Sequence, residues 1–317
     1  MKPFILLCIV GAVSLCHAAG YRIALLTDDT SKVFWKYVYT GAAKAQLELR
    51  NAGTDVVLTW DGPENDTDQM MQSRILERTI ADKVSGIILS PSNVRTFVRH
   101  VEEAHKMGIP VVVINAGLGS AGQVSFISTN NYMGGVLAAR KLGSIMKGKG
   151  NVVVFRWLAG NAASSAREAG FIDAIKGQFP DLKVLSENQS AGGTYVSSRK
   201  AASDLVKKFG AETNAFFTPT QVTTETMVLA LREEGRGKGK PILIGFDSSE
   251  MLVAALREGD IQALVVQNPV RMGYLALKML VTHLQGGQIE TEVDTGCTVV
   301  SLDNIDKPMV KELLNPT

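Results

Sequence analysis

The sequence predicts an α/β protein with two parallel sheets, each covered on both faces by helices. Three observations lead there. Short β-branched runs such as Ile109–Asn115 and Val152–Phe155 alternate with longer segments whose apolar residues recur at helical spacing. The strand candidates are apolar at successive positions, the pattern of strands buried on both faces. The alternation runs through one round and starts again after about residue 150, so two rounds of βαβα share the chain. A length of 317 residues, 45% hydrophobic and 20% charged, suits one large or two medium α/β domains.

The first round opens on a strand, Tyr21–Thr27. A polar loop, Asp28–Lys32, leads to a helix over Val33–Arg50, in which Ala42, Ala43, Ala45 and Leu47 are available for packing. Val56–Trp60 is the next strand, closed by the turn residues Asp61–Gly62–Pro63. Met70, Met71, Ile75, Leu76 and Ile80 recur at helical spacing in Thr67–Lys83. Then come a strand, Gly86–Ser90, a helix, Val94–Lys106, strands at Ile109–Asn115 and Val124–Ser128, and a helix over Asn131–Met146. In the second round Val152–Phe155 is followed by strands at Val184–Ser186, Ala215–Thr218, Pro241–Phe246 and Gln262–Val266. Its later helices are Thr194–Phe209, Val222–Glu234, Ser249–Glu258 and Pro269–Leu284. The tail holds one more strand, Thr298–Leu302, and a short last helix. No low-complexity linker separates the rounds, which points to a tight hinge of several strands.

Residues 1–18 read as an export signal. Lys2 supplies the positive start, and Phe4–Leu15 is an apolar run too short to span a bilayer. Cys16–His17–Ala18 puts small residues where a signal peptidase checks, so cleavage is expected after Ala18. A lipid anchor on Cys16 is the weaker alternative, because Leu15 stands where a lipobox needs a small residue. Removing the leader leaves Cys297 as the only cysteine, so no intrachain disulfide forms and stability rests on the core. No later run reaches the roughly 18 apolar residues of a membrane span. A net charge of +2 gives no nucleic-acid footprint. His100 and His105 miss the i, i+4 spacing of a helical metal pair, and no cysteines cluster, so a zinc site is not expected.

Asn151–Phe171 is the stretch richest in chemistry. It reads as strand, polar loop and helix, with Asn161, Ser164, Ser165 and Arg167 at or just beyond the carboxyl end of the strand. In an open parallel sheet this edge is where ligands bind, and an arginine there presents five donors in a rigid fork. The plainer reading is a βα junction whose serines cap the helix. Gly117–Gly122 matches G-x-G-x-x-G, but a dinucleotide motif must open a helix, and Val124–Ser128 reads as a strand. No G-x-S-x-G block is present and no histidine lies near a strand end, so neither a nucleotide cofactor nor an enzymatic nucleophile is indicated.

The chain resembles periplasmic sugar-binding proteins of the ribose/allose/galactose-binding type, the substrate-binding components of ABC importers. The resemblance runs through the mature chain in order: Tyr21–Thr27 with Val33–Phe34–Trp35, Val84–Pro91, Gly108–Asn115, Thr129–Asn131 with Gly134–Gly135, Ala159–Asn161 with Arg167–Phe171, Gly245–Phe246–Asp247, and Val266–Pro269. It implies two Rossmann-like three-layer lobes and a ligand cleft between them. Three crossovers would join the lobes, near Asn130, Gln267 and Asp294–Cys297. The lobes would comprise 19–129 plus 268–295 and 130–267 plus 296–317. It further implies a monomeric periplasmic protein that binds a monosaccharide, closes on it and docks on a membrane permease, with no cofactor and no nucleic-acid partner. A sensory module presenting the sugar to a chemoreceptor or kinase is the alternative. A regulator of the lac-repressor type shares the core but needs a helix-turn-helix where the export signal stands.

The ligand residues implied are Lys32, Phe34, Trp35, Asn115, Arg167, Thr220, Asp247 and Gln267. The chemistry of a pyranose agrees: aromatic rings suit its C–H faces and planar bidentate groups its hydroxyl rim. Adjacent helical residues point about 100° apart, so one of Phe34 and Trp35 is expected to face the cleft and the other to pack. Asp247 could instead cap a helix, and Gln267 could be a hinge residue. Several positions depart from the family pattern. Lys32, or Ser31 with a shifted gap, replaces an asparagine, Asn115 an acid, Ala116 an arginine, and Thr220–Gln221 an Asn–Asp pair. Gly192–Gly193 stand about where a second-lobe aromatic is expected, with Tyr195 nearest. Lost acid at Asn115, with Lys32 and Arg156 near strand ends, admits an anionic sugar unless those cations face solvent or pair with Asp28, Asp29 or Asp61.

Overall fold

The computed structural model describes residues 20–65, 67–119 and 122–315. The expected leader, 1–18, lies outside the described residues. Two six-stranded sheets account for all named strands. The first contains β1 (Tyr21–Leu26), β2 (Val56–Asp61), β3 (Gly86–Leu89), β4 (Val111–Ile114) and β5 (Ser125–Ser128), with a late strand, β11 (Glu292–Asp294), at its edge. Its order is β2-β1-β3-β4-β5-β11, and every pairing is parallel. The second contains β6 (Gly150–Arg156), β7 (Leu182–Ser190), β8 (Ala215–Phe217), β9 (Ile242–Phe246), β10 (Ala263–Gln267) and β12 (Cys297–Val300), in the order β7-β6-β8-β9-β10-β12. The same winding is thus executed twice, as the restarted alternation predicts.

Three details differ from the sequence reading. β12 runs antiparallel to β10, so the second sheet is mixed at one edge. β11 escapes sequence detection because it is three residues long and largely exposed. β7 is also longer than Val184–Ser186: its second half is polar and pairs β6 through register shifts, so it carries no apolar signature.

Helices cover both faces of each sheet. On the first, α1 (Val33–Asn51) and α9 (Pro269–Leu284) enclose a core that includes Leu25, Trp35, Val38 and Leu277, and α2 (Gln69–Ala81) and α3 (Val94–Lys106) enclose one around Leu76 and Phe97. On the second, α4 (Asn131–Ile145) and α5 (Ala162–Gln178) pack over Val152, Val154 and Phe217. The opposite face carries α6 (Tyr195–Phe209), α7 (Gln221–Glu233), α8 (Glu250–Glu258) and α10 (Pro308–Leu314) over Val153, Phe155 and Phe216. Each fully buried phenylalanine or leucine contributes about 1.5–3 kcal/mol of transfer free energy.

Glycines set the helix pairs that flank the cleft. A Cβ at Gly273 of α9 would lie 1.8 Å from the Val38 carbonyl oxygen of α1, and one at Gly135 of α4 would lie 1.9 Å from that of Arg167 in α5. Only glycine allows these backbones so close, and the second contact fixes the turn of α5 that bears Arg167.

The chain crosses between lobes three times: from β5 to α4, from β10 to α9, and from β11 to β12. The first and third crossovers are tied together. The Asn130 N–H donates to Asp294 Oδ1 at 2.9 Å, the Thr295 N–H donates to the Ser128 carbonyl at 2.8 Å, and the Thr129 and Thr295 hydroxyls lie 3.3 Å apart. Among the described residues no helix is long and apolar enough to cross a membrane.

Candidate functional site

Both sheets aim the carboxyl ends of their parallel strands at the space between the lobes, where a partly open cavity of about 220 Å³ lies. All eight residues expected at the ligand line it: Lys32, Phe34, Trp35 and Asn115 from the first lobe, and Arg167, Thr220, Asp247 and Gln267 from the second. The repeated topology positions two of them equivalently. Asn115 follows β4 and Asp247 follows β9, the fourth strand of each round. Both have φ of 64°. Asn and Asp tolerate this left-handed conformation better than other side-chain-bearing residues do. Their amides tie back to the next strand, Asn115 N–H to the Ile127 carbonyl at 3.1 Å and Asp247 N–H to that of Val265 at 2.8 Å.

Arg167 is the centre of the second-lobe edge. It is 4% exposed. Its Nε donates to Asn131 Oδ1 at 2.8 Å and its Nη1 to the Pro219 carbonyl at 2.9 Å, while Nη1 lies 3.6 Å from Asp247 Oδ2. The guanidinium carbon sits 3.9 Å from the centroid of the Phe246 ring. Burial pushes the guanidinium pKa down, and the Asp247 carboxylate opposes that shift. The serines do not cap α5. Asn161 does, accepting from the Ser164 N–H at 2.9 Å, and it lines the cavity as well. Asp247 does not cap α8 either. Ser249 holds that position, which leaves the Asp247 carboxylate to accept from Gln267 Nε2 at 2.7 Å. Gln267 is 3% exposed, and its Oε1 has no hydrogen-bond partner in the chain. Thr220 caps α7 in a reciprocal box with Thr223.

The first-lobe edge is simpler. Trp35 is 3% exposed and belongs to the core beneath α1, whereas Phe34 is only partly buried; the rings meet edge to face at 4.9 Å. Lys32 Nζ lies 3.4 Å from Asp29 Oδ2, and Asp29 Oδ1 also accepts from the Ser31 N–H and hydroxyl at 2.7 and 2.6 Å.

Two questions that the sequence leaves open at this site are answered by position. Arg156, whose direction the sequence left open, is not on the cavity wall; its Nε pairs with Glu168 Oε2 of α5 at 2.5 Å, an acid other than the three expected. On the second lobe the aromatic that lines the cavity is Trp157, while Tyr195 is 47% exposed and is not on its wall. The signal was available in the period of β6. Val153 and Phe155 face the side of α6 and α7, and Trp157 continues that series. Val152 and Val154 face α4 and α5, and Arg156 continues theirs.

The charged groups on the wall are Asp28 and Asp247 against Lys32 and Arg167, a formal balance of zero. Beyond Asn115 and Ala163 a second cavity of about 620 Å³ opens along the hinge, bounded by Asn130, Asn131 and Asp294. Cys297, on the third crossover, has its thiol pushed up to about 11 by burial first and by Asp294 next, with Arg167 opposing. Among the described residues no three His, Cys, Asp or Glu side chains are grouped to hold a metal ion.

This architecture, two wound lobes with three crossovers and a polar cavity between them, defines a class of ligand-binding proteins. The chain belongs to the periplasmic binding protein domain family, whose model matches residues 23–314. It is 25% identical to a ribose import binding protein of Haemophilus influenzae, covering 92% of this chain and 94% of that one. It is 23% identical to a xylitol-binding protein of Mycolicibacterium smegmatis, over 93% and 84% of the two chains. Among solved structures it resembles a carbohydrate transporter solute-binding protein from Agrobacterium radiobacter in complex with D-arabinose, with a TM-score of 0.83, 30% identity, and 94% and 99% coverage.

Proposed function

We propose that this protein is the exported sugar-binding component of an ABC importer, and that it takes one neutral monosaccharide or sugar alcohol into the interlobe cavity and delivers it to a membrane permease. The observation that carries this reading is the Arg167–Asp247–Gln267 network on the cavity wall. Arginine already facing a carboxylate presents donors without net charge, and the unpartnered Gln267 Oε1 requires a donor such as a hydroxyl. The argument for an anionic sugar loses its support, because Lys32 is paired with Asp29 and Arg156 with Glu168. Relatives named for ribose and xylitol, and a neighbour holding D-arabinose, are consistent with a neutral polyhydroxylated ligand.

In this reading the first lobe comprises 19–129 with 268–295 and the second 130–267 with 296–317. In the same reading the protein is a monomer in the periplasm after cleavage after Ala18, and one chain supplies both walls of the cavity. Lys32, Phe34, Asn115, Arg167, Thr220, Asp247 and Gln267 contact the sugar, the edge of Trp35 backs Phe34, and Trp157 and Asn161 join the set. A ligand that touches both lobes only when they approach stabilises the closed state by its differential affinity, and the permease reads closure. A thermal-shift screen tests this, because a ligand that binds only the folded protein raises its apparent stability. D-Ribose, D-arabinose or xylitol should raise the melting temperature and D-glucuronate should not. A shift with the uronate alone contradicts the reading.

A further inference from the structure

The second sheet divides its lobe's share of the cavity wall into two unlike halves. On the face of α4 and α5 the wall is Asn161 and Arg167, both hydrogen-bonding groups, with the small Ala163 between them in sequence. On the opposite face it is Trp157, Val222 and Leu313, which come from the end of β6, the first turn of α7 and the last turn of α10. Trp157 and Leu313 rest on the same buried cluster as Phe216 and Leu231. The polar neighbours of Val222 are already partnered within the chain: Thr220 in its cap with Thr223, and the Gln221 amide donating to Glu225 at 3.0 Å. Helix α10 is held in place by buried Val310 and by Asp306, which pairs with Arg257 at 3.0 Å and with Lys311 at 3.4 Å.

A sugar hydroxyl turned into this corner gives up its hydrogen bonds to water and meets two aliphatic side chains and the Trp157 ring, whose single polar atom is the indole N–H. A methyl or methylene group there loses nothing and buries apolar surface. We propose that Trp157, Val222 and Leu313 form an apolar subsite that selects a deoxygenated carbon, so the ligand is a deoxy sugar and the C-terminal helix is a specificity element. This rests on the sugar reading above and narrows it.

The test is calorimetric titration of the mature protein with matched pairs: D-fucose and D-galactose, L-fucose and L-galactose, L-rhamnose and L-mannose, 2-deoxy-D-ribose and D-ribose. In a pair that binds, the deoxy member should bind about 10- to 100-fold more tightly, the range a hydroxyl meeting an apolar pocket commands. Leu313→Ser should reduce that ratio to within about twofold of unity. Val222→Thr, which adds a hydroxyl at nearly constant shape and keeps the test valid should the first variant unfold, should move the ratio the same way. Tighter binding of the hydroxylated member, or a ratio unmoved in a folded variant, overturns the subsite and leaves the sugar reading standing. Binding of none of the eight sugars overturns the subsite, and the sugar reading falls with it if D-arabinose and xylitol also fail to bind.

Discussion

The two lobes meet the cavity with equivalent strand ends and unlike chemistry. After β4 the first lobe offers Asn115; after β9 the second offers Asp247, with the same φ of 64°. Around Asp247 the second lobe has assembled a buried network, with Arg167 oriented by Asn131, Pro219 and the Phe246 ring, and Gln267 held against the carboxylate. Around Asn115 the first lobe brings the partly buried Phe34 ring, backed by Trp35, and a Lys32–Asp29 pair that locks its own loop. The repeated fold supplies position; side chains then divide the labour. In the proposed reading the second lobe offers a preformed hydrogen-bonding surface with an apolar corner beside it, and the first is a cover that contributes the Phe34 ring.

That division is broken most visibly at the adjacent aromatics. Trp35→Ala empties a core site and should destabilise the fold by about 3–5 kcal/mol, read as a shift in the denaturant midpoint. Phe34→Ala should leave stability within about 1 kcal/mol while weakening sugar affinity about tenfold, the order expected for loss of one ring face. Equal stability losses in both variants contradict the assignment of one ring to the core and the other to the ligand.

Asp247→Asn keeps the side-chain shape and suits the positive φ but removes the charge that faces Arg167. Affinity for the bound sugar should fall at least about 100-fold, because a buried guanidinium is left without its carboxylate. Asn115→Asp, the equivalent change in the first lobe, adds an acid to a wall already balanced, and should weaken binding less. A first-lobe effect larger than the second-lobe one reverses the comparison.

The smallest effect concerns the third crossover. With its pKa raised from the ordinary 9.0 to about 11, the Cys297 thiol is protonated at neutral pH and inert as a nucleophile. Iodoacetamide at pH 8 should label it more than about tenfold more slowly than an unhindered thiol, with the rate climbing toward pH 11. Because the folded pKa lies above the ordinary value, this group stabilises the fold below about pH 9 and loses that contribution as pH rises to about 11. Labelling at the rate of a free thiol contradicts the buried setting.

The double winding was legible in the sequence because strands buried on both faces must be apolar throughout, and two such sets occur in series. The helix Pro269–Leu284 has the bounds its periodicity and N1 proline indicate. β11 and the outer half of β7 were not legible, since exposed edge strands carry no apolar signature. In the site, the polar set was readable chiefly through the family resemblance, with Asn115 and Asp247 also marked as residues that follow apolar strands. The direction of a side chain at a strand end was not, until register fixed which face it continues. For that reason Arg156 drew weight that belongs to Trp157. Leu313 was illegible for a different reason: nothing in a short tail helix signals that tertiary packing brings it to the cavity.

The central claim is that a neutral polyhydroxylated ligand is held across the cleft by the second-lobe network. It is tested most directly by calorimetric titration of the mature protein and its Asp247→Asn variant with D-ribose, D-arabinose, xylitol and D-glucuronate. The account predicts saturable one-to-one binding of at least one neutral ligand, its loss in the variant, and no response to the uronate. Tight uronate binding, or neutral-ligand affinity unchanged in the variant, would contradict it.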